Sequence, residues 1–357
     1  EQQLVEIARA LSLNSKLIIM DEPTSALNNN ETANLFKIIR SLRQQEVAII
    51  YISHKMDEIF DITDRITVMR DGRVIDTRLT RDFTHKEIVV MMTGKDLSDD
   101  YFAREGAATP SDHGKETPIL SVRNISSSAR NLRQVSFDLY KGEVLGIAGL
   151  LGAGRTELFK AIFGADRMTG GEILLNGAPV RIGSTIDAVR AGIMLLPEDR
   201  KTEGLILQMS IQDNIIEPSL KAISTAGLVS RKKGKALAKE YTARMRVKCT
   251  GEEQVVGNLS GGNQQKVVFA KWLAAHPKVL MLDDPTRGID VGSKHEIYGL
   301  IRELANQGIG VIFVSSEMPE LVGVCDRVLV MRDGEIVSEA VGAAINDNNL
   351  MMIATGT

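Results

Sequence analysis

Only two cysteines, Cys249 and Cys325, occur in 357 residues, with neither the CxxC spacing of a metal or redox site nor a disulfide framework. A reducing compartment fits that usage. No apolar run approaches the roughly 18 residues of a membrane-spanning helix. The longest, such as Val47 to Ile52 and Val144 to Leu151, are short, and glycines interrupt the second. The chain is therefore not expected to cross a bilayer. Basic residues are not in excess: 43 Lys and Arg stand against 46 Asp and Glu, a net charge of -3, so nothing in the balance favours a nucleic-acid backbone as partner. An initiator methionine and a charged-then-apolar leader are both missing, and residue 1 falls inside an amphipathic helical pattern, so the sequence reads as a fragment. What is present is a composition 43% hydrophobic and 25% charged, over a length that suits about two domains with cores of their own.

The strongest internal signal is a long-range repeat. Shifted by 262 positions, Gln2 and Gln3 fall on Gln264 and Gln265, Asp21 on Asp283, Pro23 and Thr24 on Pro285 and Thr286, and Asp64 and Arg65 on Asp326 and Arg327. The run 69–72 repeats as Met331-Arg332-Asp333-Gly334, and the register holds without insertion until Thr93 and Gly94 meet Thr355 and Gly356. Residues 1–96 therefore read as the C-terminal part of a first domain, 97–117 as a polar linker carrying Gly106, Pro110 and Gly114, and 118–357 as a complete second domain. Lys16 to Asp21, Val47 to Ser53, Lys278 to Asp283 and Ile309 to Ser315 read as buried parallel strands. Helical spacing over Glu31 to Gln44 and Lys294 to Asn306 places a helix between each pair, which is βαβ logic and an α/β fold. Asp-Gly at 71–72 and 333–334 and Asn-Gly at 176–177 suit type I′ hairpins, so an antiparallel β element accompanies the parallel sheet.

Chemistry concentrates in a few places. Gly149, Gly152, Gly154, Arg155 and Thr156 follow an expected strand and open an expected helix, the setting of a G-x-x-x-x-G-K-[ST] loop whose backbone N–H groups close around phosphates. Arg155 stands where Lys is expected. Leu17 to Pro23 forms a complete Walker B element: Asp21 at a strand end can hold Mg²⁺, and Glu22 can polarise an attacking water. The basic cluster Arg231, Lys232, Lys233 and Lys235 reads as a solvated helix face, and Trp272 has core-like neighbours.

Order and spacing of the glycine loop, the Leu259-Ser260-Gly261-Gly262-Asn263-Gln264-Gln265 segment and the Asp283-Asp284-Pro285 strand end resemble the ATP-binding domain of ABC transporters. The wording of 197–201, 284–292 and 315–320 narrows the resemblance to the tandem ATP-binding subunit of bacterial ribose, galactose and xylose type importers. That resemblance implies an ABC-type P-loop NTPase fold in two copies, the first incomplete. Each copy has a central, mostly parallel sheet, with an antiparallel β subdomain and a helical subdomain. It implies a monosaccharide-transporting ATPase that uses ATP and Mg²⁺ and sits on the cytoplasmic face of the inner membrane. Its partners are membrane permease subunits and, indirectly, an extracytoplasmic sugar-binding protein, with no nucleic acid.

Carried over position by position, the resemblance makes Glu22 and His54 catalytic. Mg²⁺ goes to Asp21, Thr156 and Asp283. ATP goes to Gly149, Gly152, Gly154, Arg155, Thr156, Glu198, Ser260, Gly261, Gly262, Asp284 and Ser316. In the second copy Asp284 replaces Glu22, Ser316 replaces His54, and Glu198 takes the place of a glutamine that links nucleotide to the membrane partner. Together with Arg155, these departures imply a domain that binds nucleotide and hydrolyses it weakly. The resemblance also sets Ser260, Gly261 and Gly262 against the Asp21, Glu22 and His54 site, and Leu205 to Ile216 against the permease. Since the first copy's phosphate loop is not in this sequence, the chain alone is expected to show little turnover. Two alternatives are a soluble twin ABC ATPase acting on ribosome or nucleic acid, which the short, Lys-poor linker disfavours, and an inactive fragment.

Overall fold

The computed structural model describes residues 15–24, 29–53, 55–70, 72–93, 116–127, 131–225, 227–289 and 291–356. Residues 1–99 with 290–292 form one compact unit, and 100–289 with 293–357 form the other. Most of the stretch read as a linker lies outside the described residues.

The first unit contains β1 (Leu17–Asp21), α1 (Asn29–Gln44), β2 (Ala48–Ile52), α2 (Met56–Ile62), β3 (Arg65–Arg70), β4 (Arg73–Leu79) and α3 (His85–Thr93). β1 and β2 pair in parallel, Leu17 opposite Ala48, and β3 and β4 form an antiparallel hairpin. Helix α1 buries Leu35, Phe36 and Ile39 against Ile18 and Met20 on one face of β1.

The second unit begins with β5 (Leu120–Ser127), β6 (Leu132–Leu139), β7 (Val144–Ala148), α4 (Arg155–Ile162), β8 (Gly170–Leu175), β9 (Ala178–Val180), α5 (Thr185–Ala191) and β10 (Ile193–Leu196). A helical stretch follows: α6 (Ile211–Ile216), α7 (Leu220–Ile223), the short ribbon β11 (Ser224–Thr225) and β12 (Leu228–Val229), α8 (Arg231–Arg244) and α9 (Gly261–Leu273). The chain then returns to the sheet with β13 (Val279–Asp283), α10 (Val291–Asn306), β14 (Gly310–Val314), α11 (Met318–Val324), β15 (Arg327–Arg332), β16 (Glu335–Val341) and α12 (Asp347–Thr355).

Six strands form the central sheet in the order β10-β13-β14-β7-β15-β16, parallel except for the β15–β16 hairpin. A four-stranded antiparallel sheet, β6-β5-β8-β9, makes a separate layer. Alternation along the central strands divides the core in two, because successive side chains point to opposite faces. Leu280, Leu282, Val311 and Phe313 pack with α9, α10 and α11 on one side. Val279, Met281, Ile312 and Val314 pack with α4 and the antiparallel sheet on the other. The Asn176-Gly177 and Asp333-Gly334 turns have positive φ at both residues, as a type I′ hairpin requires.

The expectation of buried parallel strands in both copies needs correction. β13 and β14 are buried along their whole length, but β1 and β2 are covered on one face only. Leu17, Ile19, Ile50 and Ile52 are about half exposed, whereas their counterparts Val279, Met281, Ile312 and Val314 are buried. In the second unit the elements between Ile119 and Leu195 cover that face, and the described part of the first unit has no counterpart to them. Hydrophobicity alone does not bury a strand.

The difference sets up a paired test. Met281 is 0% exposed and Ile19 62% exposed, at matching positions. Met281→Lys is expected to destabilise its unit by about 4 kcal/mol or more, through an unpaired charge in a sealed core. Ile19→Lys should stay within about 0.5 kcal/mol. Urea unfolding of both variants checks this, and equal losses would contradict the one-sided burial of β1.

Candidate functional site

The glycine loop leaves the fully buried strand β7 and enters α4 through Gly154, which caps the helix at φ 100° and ψ 10°. Gly152 also has a positive φ of 85°. These left-handed turns suit glycine and bring the loop to the positive end of α4, where free N–H groups favour an anion. Thr156 lies in the first turn of that helix, near the Asp283 carboxylate at the end of β13, whose charged form it favours. Arg155 lies among the acids: its Nη1 donates to the Ser315 carbonyl at 2.9 Å, and Asp283 and Asp284 supply opposite charge.

Burial works against every charge in this cluster. It lowers the Arg155 pKa, and the nearby carboxylates of Asp283, Asp284 and Glu157 only partly offset it. Burial pushes the Asp283 carboxyl up to about 6, Thr156 opposes that, and the adjacent Asp284 adds to it. Asp284 also rises to about 6, again chiefly through burial, with a hydrogen bond from Ser316 opposing and Glu320 contributing. Two acids that resist ionisation beside a glycine-rich helix start form an electrostatic setting that a divalent cation would relieve.

Asp284 adopts φ 47° and its N–H donates to the Val314 carbonyl at 3.0 Å. Glu22 repeats that turn in the first unit, with φ 44° and a 2.8 Å bond to the Ile52 carbonyl. Left-handed backbone is costly for a non-glycine residue, so its recurrence at matching positions marks both turns as shaped for aiming a carboxylate. Asp21 ends β1 immediately before that turn. His54 lies outside the described residues.

The remaining residues gather elsewhere in the second unit. Glu198 follows β10 and forms an ion pair with Arg287, in the turn after Asp284. Ser260 caps α9, and Gly261 and Gly262 are its first two residues. A Cβ at Gly261 would come within 2.7 Å of the Arg200 guanidinium and 3.3 Å of the Gly288 carbonyl, so any larger residue at this helix start would displace the Arg200 side chain from the 287–288 turn. Sequence reasoning missed Arg200, which donates to the Arg287 carbonyl at 2.9 Å and to the Gly288 carbonyl at 3.2 Å. It also missed the work of two signature amides. Asn263 bonds Ser260 Oγ at 2.9 Å, and buried Gln264 reaches the Leu259 carbonyl at 3.2 Å. Both amides belong to the quoted motif, and the spacing to Ser260 is the one signal that pointed to them.

A buried parallel strand, a left-handed glycine loop, a helix whose first threonine meets a strand-end aspartate, and a second acid beside it define a P-loop nucleotide-binding domain. Residues 132–287 match the ABC transporter family. Across 356 residues the chain is 47% identical to the ribose import ATP-binding protein RbsA of Lactococcus lactis subsp. cremoris, covering 100% of this chain and 70% of that protein. It is 46% identical to ribose import ATP-binding protein RbsA 2 of Rhizobium meliloti, covering 99% of this chain and 68% of that one. Among solved structures, the ADP conformation of the ATP-binding cassette MJ1267 superposes with a TM-score of 0.56 at 20% identity, over 67% of this chain and 99% of the cassette. The structure of cbiO1 from Clostridium perfringens gives 0.53 at 24%, over 63% and 89%. The chain belongs to the family of ABC transporter ATP-binding proteins.

Proposed function

We propose that the chain serves in the ATP-binding subunit that couples ATP hydrolysis to import of a monosaccharide of the ribose class, through a membrane permease supplied by an extracytoplasmic sugar-binding protein. The observation that carries this is the Gly149 to Thr156 loop meeting Asp283 and Asp284, in a chain that spans 70% of a ribose importer's ATP-binding protein. Residues 1–96 and 118–357 serve as the two ATPase domains, joined by 97–117. In the second, the backbone N–H groups of 149–156 bind the ATP phosphates, and Arg155 takes the place of the usual lysine at the outer phosphates.

Thr156 and Asp283 fit Mg²⁺, as does Asp21 in the first domain. Among the described residues no group of three His, Cys, Asp or Glu could hold a metal, and Mg²⁺ commonly takes only one or two protein oxygens beside water and phosphate. When bound, the ion neutralises charge on the phosphate oxygens. Glu22, with His54, orients the attacking water. Asp284 is one methylene shorter, which withdraws its carboxylate from the attacking water, so hydrolysis is assigned to the Glu22 site and nucleotide binding to the second domain as well. Glu198, Ser260, Gly261, Gly262 and Ser316 complete the nucleotide-facing surfaces. The subunit docks at the cytoplasmic face of the inner membrane, and no helix among the described residues is long and apolar enough to cross it.

The test is labelled-ribose uptake and ATP turnover with the permease co-expressed, in a subunit whose first domain also carries a phosphate loop. Glu22→Gln should lower both about a hundredfold or more with ATP affinity held within about twofold, because the carboxylate acts on water and not on nucleotide. Asp284→Asn should cost less. Loss of turnover on Asp284→Asn alone, with Glu22→Gln silent, would invert the assignment.

A further inference from the structure

Each unit carries a buried carboxylate that the chemistry above does not use. In the second it is Glu320 on α11, 1% exposed. One oxygen accepts from Thr286 Oγ1 at 2.7 Å and Ser315 Oγ at 2.6 Å. The other accepts from Tyr298 OH at 2.7 Å and Lys294 Nζ at 2.9 Å. Four donors use the full acceptor capacity of a carboxylate. Two of them flank the nucleotide site: Thr286 lies within the turn that begins at Asp284 and that the Arg287 N–H closes, and Ser315 precedes Ser316 and receives Arg155 on its carbonyl. One side chain therefore ties the turn after β13 to the loop after β14, on which the phosphate-loop arginine rests.

The first unit has the same device, built from different residues. Glu58, at the matching position on α2, accepts from Thr24 Oγ1 at 2.7 Å, Ser53 Oγ at 3.3 Å, Tyr51 OH at 2.8 Å and Lys55 Nζ at 3.2 Å. The threonine and serine donors match between the copies. The other two do not: Phe36 and Thr32 stand where Tyr298 and Lys294 would fall, while Phe313 and Glu317 stand where Tyr51 and Lys55 would fall. Between the copies, the hydroxyl and the ammonium have both moved from the helix to the strand and the loop after it, and the donor set has stayed. Stability alone does not demand this, since apolar residues often replace a buried ionic cluster at no loss. Retention of the donors through a change of their residues points to a requirement of geometry.

We infer that Glu320, and Glu58 in the first unit, are positioning residues that hold the Walker-acid turn and the loop after the next strand at a fixed separation. In the second unit this keeps Arg155 aimed at the terminal phosphate of ATP. The inference rests on the assignment of ATP to the Gly149 to Thr156 loop. ATP and ADP differ only in that phosphate, so loosening the tether should change the preference between them, whereas a purely structural role would change melting temperature alone.

The experiment is competitive displacement of a fluorescent ADP analogue from the full 357-residue chain by ATP and by ADP, with Mg²⁺ present. Tyr298→Phe should weaken ATP about fivefold, with ADP within about twofold. The double variant Tyr298→Phe/Phe313→Tyr brings the hydroxyl from the strand, as the first unit does, and should restore the preference to within about twofold of wild type. Glu320→Gln should reduce the preference about tenfold or more, and it decides alone if the double variant does not fold. With nucleotide binding intact, any other pattern overturns the inference, including a lowered melting temperature with an unchanged ATP-to-ADP ratio. Wild-type chain that binds neither nucleotide, or binds both unaltered by Thr156→Ala, overturns the ATP-site assignment and this inference with it.

Discussion

Gly154→Val is expected to weaken ATP binding by the second unit about a hundredfold or more, with its melting temperature less affected than its affinity. Gly154 sits at φ 100°, where an L-residue pays about 1–2 kcal/mol and a β-branched one more. Space is also lacking, since a Cβ there would lie 3.2 Å from Leu132 Cδ2 and 3.3 Å from Gly334 Cα. Gly334 is itself closely packed, since a Cβ on it would run into the Asn131 carbonyl. The loop must therefore rotate to accept valine, and rotation turns the N–H groups at the head of α4 away from the phosphates. Gly152→Ala is the contrast: φ is 85° but nothing lies within 4 Å, so only backbone strain remains and the loss should be about tenfold or less. Calorimetric titration with ATP and circular dichroism of both variants make the comparison. Undiminished affinity in Gly154→Val would place the nucleotide elsewhere.

Asp284→Asn is expected to stabilise the nucleotide-free second unit above pH 6, by about 1–3 kcal/mol. Burial, with Glu320 nearby, raises the Asp284 carboxyl from 3.8 to about 6 despite the hydrogen bond from Ser316. Across that window the unfolded chain releases its proton while the folded chain keeps it. The folded state then binds more protons, so stability falls as pH rises and levels off above the folded value. An amide does not ionise and escapes this loss, and asparagine also tolerates the left-handed backbone found here. The gain should shrink through the window and vanish below about pH 4. Urea titrations followed by Trp272, the one tryptophan of the chain and a resident of the second unit, measure it from pH 4 to 8. A variant less stable than wild type at pH 8 would mean that the Asp284 charge is fully compensated without nucleotide or metal.

Short-range effects along the chain account for the local elements and their order. Strands β13 and β14, the glycine loop, the head of α9 and the Asp-Gly and Asn-Gly hairpins follow from short-range causes: alternation, β-branching, and turns that need positive φ. A fixed shift between two halves of the chain located Asp21 opposite Asp283 and Glu22 opposite Asp284, and their strand pairings share that register, Leu17 with Ala48 and Val279 with Gly310. What those elements meet depends on contacts between distant segments. Ile19 and Met281 carry the same apolar message, yet one is exposed and the other sealed, because burial belongs to the covering layer and not to the strand. Glu198 pairs with Arg287, and Gly261 lies against Arg200, through contacts between segments far apart in the chain. The tether at Glu320 was the least legible. Its tyrosine and lysine donors come from α10, while those of Glu58 come from β2 and the loop after it. A linear comparison scores those positions as differences; only the fold shows that four donors converge on each carboxylate.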